Sequence, residues 1–85
     1  MGLANRLVAD GEVDAAAAEL AGRLAAQPPL AVRGARRAIE ALWNGGPEAS
    51  FRAALEGQVR CLESEDFKEA RQAMVEGRPP RWRGR

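Results

Sequence analysis

From Val13 onward, apolar residues recur three and four positions apart, the spacing that gathers side chains on one stripe of a helix. Val13, Ala16, Ala17, Leu20 and Leu24 form the first stripe, on a helix that Asp10 can cap and that ends near Ala26. Gln27-Pro28-Pro29 stops it and starts the next, because proline is excluded from a helix interior but fits a first turn. The second helix runs from Pro29 to Trp43 with Val32, Ala35, Ile39 and Leu42 on one side, and Asn44-Gly45-Gly46 ends it. Pro47 opens a third helix whose stripe is Phe51, Ala54, Leu55, Val59 and Leu62. Ser64 is a good cap for a fourth, with Glu65 and Asp66 in its first turn, Phe67, Ala70 and Met74 on its apolar line, and Gly77 at its end. Phe67 is expected to anchor this helix against Leu55, Val59 and Leu62. Ahead of all this, LANRLV at positions 3–8 reads as a short strand, yet nothing later resembles a partner for it.

The pattern predicts an all-α fold: four short helices, arranged as two helical hairpins, after a short N-terminal extended segment. One domain is expected over residues 1–85, with a strand-like lead-in at 1–9, helices over 10–77 and an extended basic tail at 78–85. Composition agrees, since alanine dominates the apolar content and Tyr is absent. A chain of this length buries only about 60 to 65% of its unfolded surface, so any core is small.

Thirteen basic residues against twelve acidic leave a net charge of +1, too little to mark a nucleic-acid partner. The chain has no run approaching the ~18 apolar residues of a membrane span. One cysteine, Cys61, allows no internal disulfide and reads as a small packing residue. A reducing, cytoplasmic setting is expected.

Candidate chemistry is sparse. Without histidine, neither a Cys/His nucleophile nor a His-containing metal site can be built. Glu12, Glu19, Glu40, Glu56, Glu63 and Glu69 are spread over the helices as surface charges. Gly45-Gly46 lacks the lysine and longer glycine spacing of a phosphate loop. Arg78, Arg81, Arg83 and Arg85 around Trp82 could grip phosphates or stack on a base, but a solvated tail with Trp82 tucked onto the helices is the simpler reading.

In order, GLANRLV (Gly2 to Val8), PPLAVRGARRAIEAL, matched over Leu24 to Ile39, and SEDFKEARQAMVEGRPPRWRGR (Ser64 to Arg85) resemble the C-terminal segment of enoyl-CoA hydratases/isomerases of the crotonase superfamily. The likeness covers essentially the whole chain. It implies that LANRLV is a last strand-like segment of a crotonase core whose other strands lie outside these residues, and that the remainder is the C-terminal helical domain of that fold.

The resemblance implies a function for the helices too. In the family this domain covers the active site, helps to form oligomers and contributes part of the coenzyme A pocket. The substrate is a coenzyme A thioester of fatty acid metabolism, no cofactor is bound covalently, and no metal is implied. Catalysis there relies on two main-chain N–H donors and two glutamates of the core, so no catalytic residue is expected within this chain. Its coenzyme A contacts are carried over to Met74, where the family has an aromatic residue, and to Arg78. The family's lysine is replaced by Gly77, and Glu69-Ala70 stands for the common Glu-Gly. The expected partners are the crotonase core or further copies of the chain, with weak acyl-CoA binding and neither nucleic acid nor membrane. An autonomous helical interaction module without enzymatic activity is the alternative.

Overall fold

The computed structural model describes residues 2–85; Met1, the first residue of the expected lead-in, lies outside them. A 3-10 turn, Asp10–Glu12, leads into α1, Val13–Ala25. α2 spans Pro29–Leu62 and α3 spans Glu65–Glu76. The architecture is all-α, as the periodicity predicts. Asp10 is not a side-chain cap: the turn starts after an extended Ala9, and no side chain accepts from its first N–H groups.

The expected second and third helices are joined as the two arms of α2. Only Gly46 leaves helical geometry, at φ 79° and ψ −172°, and Pro47 resumes the helix at once. A single glycine in a conformation closed to other residues thus takes the place of a connecting loop. The arms then run back past each other and meet where Gly57 approaches Gly34.

Local signals set the other boundaries. Pro29 sits in the first turn of α2. Ser64 caps α3, its Oγ accepting the Phe67 N–H at 3.0 Å and donating to the Cys61 carbonyl at 2.6 Å. At the far end Gly77 is left-handed, at φ 65°. The N–H groups of Gly77 and Arg78 donate to the carbonyls of Met74 and Ala73, a Schellman closure that needs glycine at that position.

Residues 2–9 form no strand, contrary to the expectation from LANRLV, and Leu3 and Leu7 are exposed. A strand is completed by a ladder of hydrogen bonds to a neighbour, and no second strand lies among the described residues. Arg6 instead reaches Glu19 of α1 at 3.1 Å.

The helices form an open, flat body. The radius of gyration is 16.2 Å, against about 12 Å for a compact domain of this length. The accessible surface is 7258 Å², where a compact protein of this mass exposes about 4,900 Å². Among the described residues the buried apolar side chains are Leu30 and Ala73.

Which helix faces turn inward also departs from expectation. The half-buried positions where the arms approach are small: Gly34, Ala38 and Ala41 on one, Ser50, Ala53, Gly57 and Cys61 on the other. Each set recurs at three and four residues, so it is a helix stripe in its own right. The larger apolar residues expected in the core, Ile39, Leu42, Phe51, Leu55, Val59 and Leu62, are exposed. Phe67 lines the groove together with Gln58 and Cys61 and remains 38% exposed, and Leu55, Val59 and Leu62 are exposed too, so the buried anchor expected among them is not formed. Small residues win the inner position because only they permit the close approach of the arms. No helix among the described residues is long and apolar enough to cross a membrane.

Candidate functional site

The tail folds back along α3, and two carboxylates one helical turn apart receive it. Asp66, in the first turn of α3, is 4% exposed. Its Oδ1 accepts the Arg83 N–H at 2.7 Å and its Oδ2 the Gly84 N–H at 2.8 Å, while its own N–H donates to the Arg85 carbonyl at 3.0 Å. A buried carboxylate is tolerable on these terms, because both oxygens accept hydrogen bonds and the helix N-terminus favours negative charge.

One turn on, Glu69 takes a bidentate grip from Arg78, Nη1 to Oε1 at 2.6 Å and Nη2 to Oε2 at 3.2 Å. Glu69 also accepts the Arg81 N–H at 2.8 Å. The Arg78 hydrogen bond, followed by that of Arg81, pulls the Glu69 carboxyl from 4.5 down to about 2. Arg78 further donates through Nε to Glu76, and these carboxylates hold its guanidinium above the ordinary arginine value, Glu69 first. The Glu76 carboxyl is lowered as well, by its hydrogen bond from Gln72 and then by Arg78.

Met74 and Arg78 both lie at the C-terminal end of α3 but in different settings. Met74 is 81% exposed. The Arg78 side chain is only 32% exposed, and three of its five N–H donors already go to the two glutamates. A phosphate reaching Arg78 must therefore compete with two carboxylates.

Beside this cluster lies an apolar groove of about 370 Å³ between the arms of α2, the start of α3 and the tail. Trp82 forms one wall of it and Cys61, half-buried, another part. The indole Nε1–H donates to the Ala26 carbonyl at 2.9 Å, so Trp82 is tucked onto the helices as the simpler reading of the tail expects. Arg85 pairs with Glu65 at 3.1 Å. The roles of Asp66 and Glu69 in receiving the tail were not legible beforehand. Their one available signal is two acids three residues apart in the first turns of a helix followed by a short extended segment.

No protein-family model matches the chain. Carnitinyl-CoA dehydratase of Proteus mirabilis (strain HI4320) is 35% identical over 88 residues, which cover 99% of this chain and 34% of that protein. The Salmonella typhi carnitinyl-CoA dehydratase is 34% identical over the same span. The crystal structure of enoyl-CoA hydratase from Mycobacterium tuberculosis H37Rv superposes with a TM-score of 0.85 at 36% identity, covering 99% of this chain and 33% of that one. The chain corresponds to a C-terminal segment of a crotonase-superfamily protein. A probable enoyl-CoA hydratase/isomerase from Mycobacterium abscessus matches at a TM-score of 0.82 and 39% identity, again over 33% of its length. The chain thus spans about a third of the length of these crotonase relatives, and its helices match the C-terminal helical domain of the crotonase fold.

Proposed function

We propose that this chain supplies the C-terminal helical part of an enoyl-CoA hydratase/isomerase-type protein that acts on acyl-CoA thioesters in fatty acid metabolism. In this reading residues 1–85 are one helical unit, not catalytic alone, that covers the active site and joins subunits in a cytoplasmic oligomer. The observation that carries it is the inversion of the helix faces. Ile39, Leu42, Phe51, Leu55, Val59 and Leu62 are exposed while the half-buried positions along the arms are small residues such as Gly34, Ala38, Ala53 and Gly57, leaving large apolar surfaces for a neighbour to cover. A crotonase core and further copies of the chain are the neighbours assigned to them in this reading. Met74 and Arg78 are the proposed coenzyme A contacts. Exposed Met74 is open to such a ligand, and Arg78 becomes available if the phosphates displace Glu76.

The test joins sedimentation with assay. The purified chain should sediment as dimers or larger species and should not hydrate crotonyl-CoA. A monodisperse monomer with a cooperative melt would overturn the covering role, and measurable turnover would overturn the assignment of catalysis to groups outside the chain.

A further inference from the structure

Residues 81–85 are held at the start of α3, one turn along it and at the end of α1, with Arg85 further paired to Glu65. Asp66 takes the N–H groups of Arg83 and Gly84, Glu69 takes that of Arg81, and the Trp82 indole donates to the last turn of α1 through the Ala26 carbonyl. Asp66 and Glu69 take only main-chain N–H groups from residues 81–85, so within that segment they require an extended backbone rather than particular side chains. Trp82 adds the one side-chain tie to α1 and forms a wall of the groove that contains Cys61. Ahead of these residues stand Pro79 and Pro80, which offer no N–H and hold φ near −65°. Beyond them, Arg78 is tied separately to Glu69 and Glu76.

We propose that residues 81–85 form a strap that opens and closes as a unit over the groove, with Asp66 as its catch. Closed, the strap ties the end of α1 to the start of α3, two places joined by little direct packing in so open a body. Opened, it carries Trp82 away, removes that wall of the groove and uncovers Cys61. The opening is local, because the hydrogen bonds it breaks fall on α3 and the end of α1 and not on Gly34 or Gly57 where the α2 arms cross. Gly84 suits the closed state: its φ is +76°, and a β-carbon there would stand 3.1 Å from an Arg33 Nη2.

The test uses the full chain and Asp66→Asn. Asparagine keeps the size and one acceptor but sets an NH₂ against the second main-chain N–H. Amide exchange at Arg83 and Gly84 should quicken by about tenfold or more, since hydrogen bonds to a charged acceptor are among the stronger ones. Alkylation of Cys61 by iodoacetamide should quicken several-fold, while amides of residues 51–60 change by less than about twofold. Unchanged exchange or unchanged alkylation would overturn the proposal. So would equal quickening in α2, because the strap would then open only as part of global unfolding. Should the variant not fold, the unaltered chain in sub-denaturing urea decides: strap amides and Cys61 must respond before the α2 amides, and a simultaneous response sinks the idea.

Discussion

Gly57 and Gly34 meet where the two arms of α2 cross, so closely that a β-carbon on Gly57 would stand 3.2 Å from the Gly34 Cα. The reverse substitution is easier, since a β-carbon on Gly34 would lie 3.5 Å from the Gly57 Cα, ordinary van der Waals contact. Both positions are helical, where alanine is favoured over glycine by about 1 kcal/mol. Gly34→Ala should therefore stabilise the chain by up to that amount. Gly57→Ala should gain less or nothing, because the opposing backbone must shift. Urea melts followed by circular dichroism at one fixed protein concentration check the order, and an equal gain from both would mean that the arms are less closely apposed.

The bend between the arms makes a second pair of expectations, with different causes at adjacent residues. Gly46 has φ 79° and ψ −172°, so Gly46→Ala should cost about 1–3 kcal/mol through backbone strain. At Gly45 the obstacle is a neighbour, since a β-carbon would come within 2.7 Å of the Ala49 Cβ. Gly45→Ala should therefore be destabilising alone and relieved in part by Ala49→Gly, whereas Gly46→Ala gains nothing from that partner. A double-mutant cycle measures the difference as a coupling present for Gly45 and absent for Gly46.

These residues also show what the sequence could and could not convey. Pro29, Pro47, Ser64 and Gly77 act within one turn of themselves, and the helix limits they imply are close to those observed. LANRLV was misleading because a strand is a property of two segments, and its propensity says nothing about a partner. The stripes were misplaced for a related reason. The third stripe, Phe51, Ala54, Leu55, Val59 and Leu62, follows hydrophobicity alone, which does not register how closely the arms approach at Gly34 and Gly57. The tail's attachment rests on Asp66 with Arg83, 17 positions apart, and on Ala26 with Trp82, 56 apart. Neither pair leaves a periodic trace.

Glu69 predicts how the tail responds to acid. Its carboxyl is lowered from 4.5 in the unfolded chain to about 2 when Arg78 and the Arg81 N–H are in place. A lowered carboxyl stabilises the folded form fully above pH 4.5, and that contribution is lost as the pH falls through about 2. The Arg81 amide signal should accordingly keep its native position at pH 4 and move only in stronger acid. Glu69→Gln should abolish this low-pH step, and an Arg81 signal that shifts with a midpoint near 4.5 would show that the Glu69 grip is not maintained in solution.

Phe67 provides the last test, because two placements of the same side chain differ in magnitude. Packed fully against Leu55, Val59 and Leu62, its replacement by alanine would cost about 3–5 kcal/mol and leave so small a domain largely unfolded. In the structure Phe67 lies at the edge of the groove near Cys61 and is 38% exposed, so much of its ring already meets water. Full burial of a phenylalanine side chain contributes about 1.5–3 kcal/mol by transfer, and the partial burial here scales that to about 1–2 kcal/mol. Ser64 still caps α3 through the Phe67 main-chain N–H, which alanine retains. Phe67→Ala should therefore remain helical and melt only modestly earlier by circular dichroism, with Cys61 alkylated faster because the ring no longer flanks it. A fully unfolded variant would return Phe67 to the interior of the chain and overturn the inverted helix faces on which the exposed apolar surface depends.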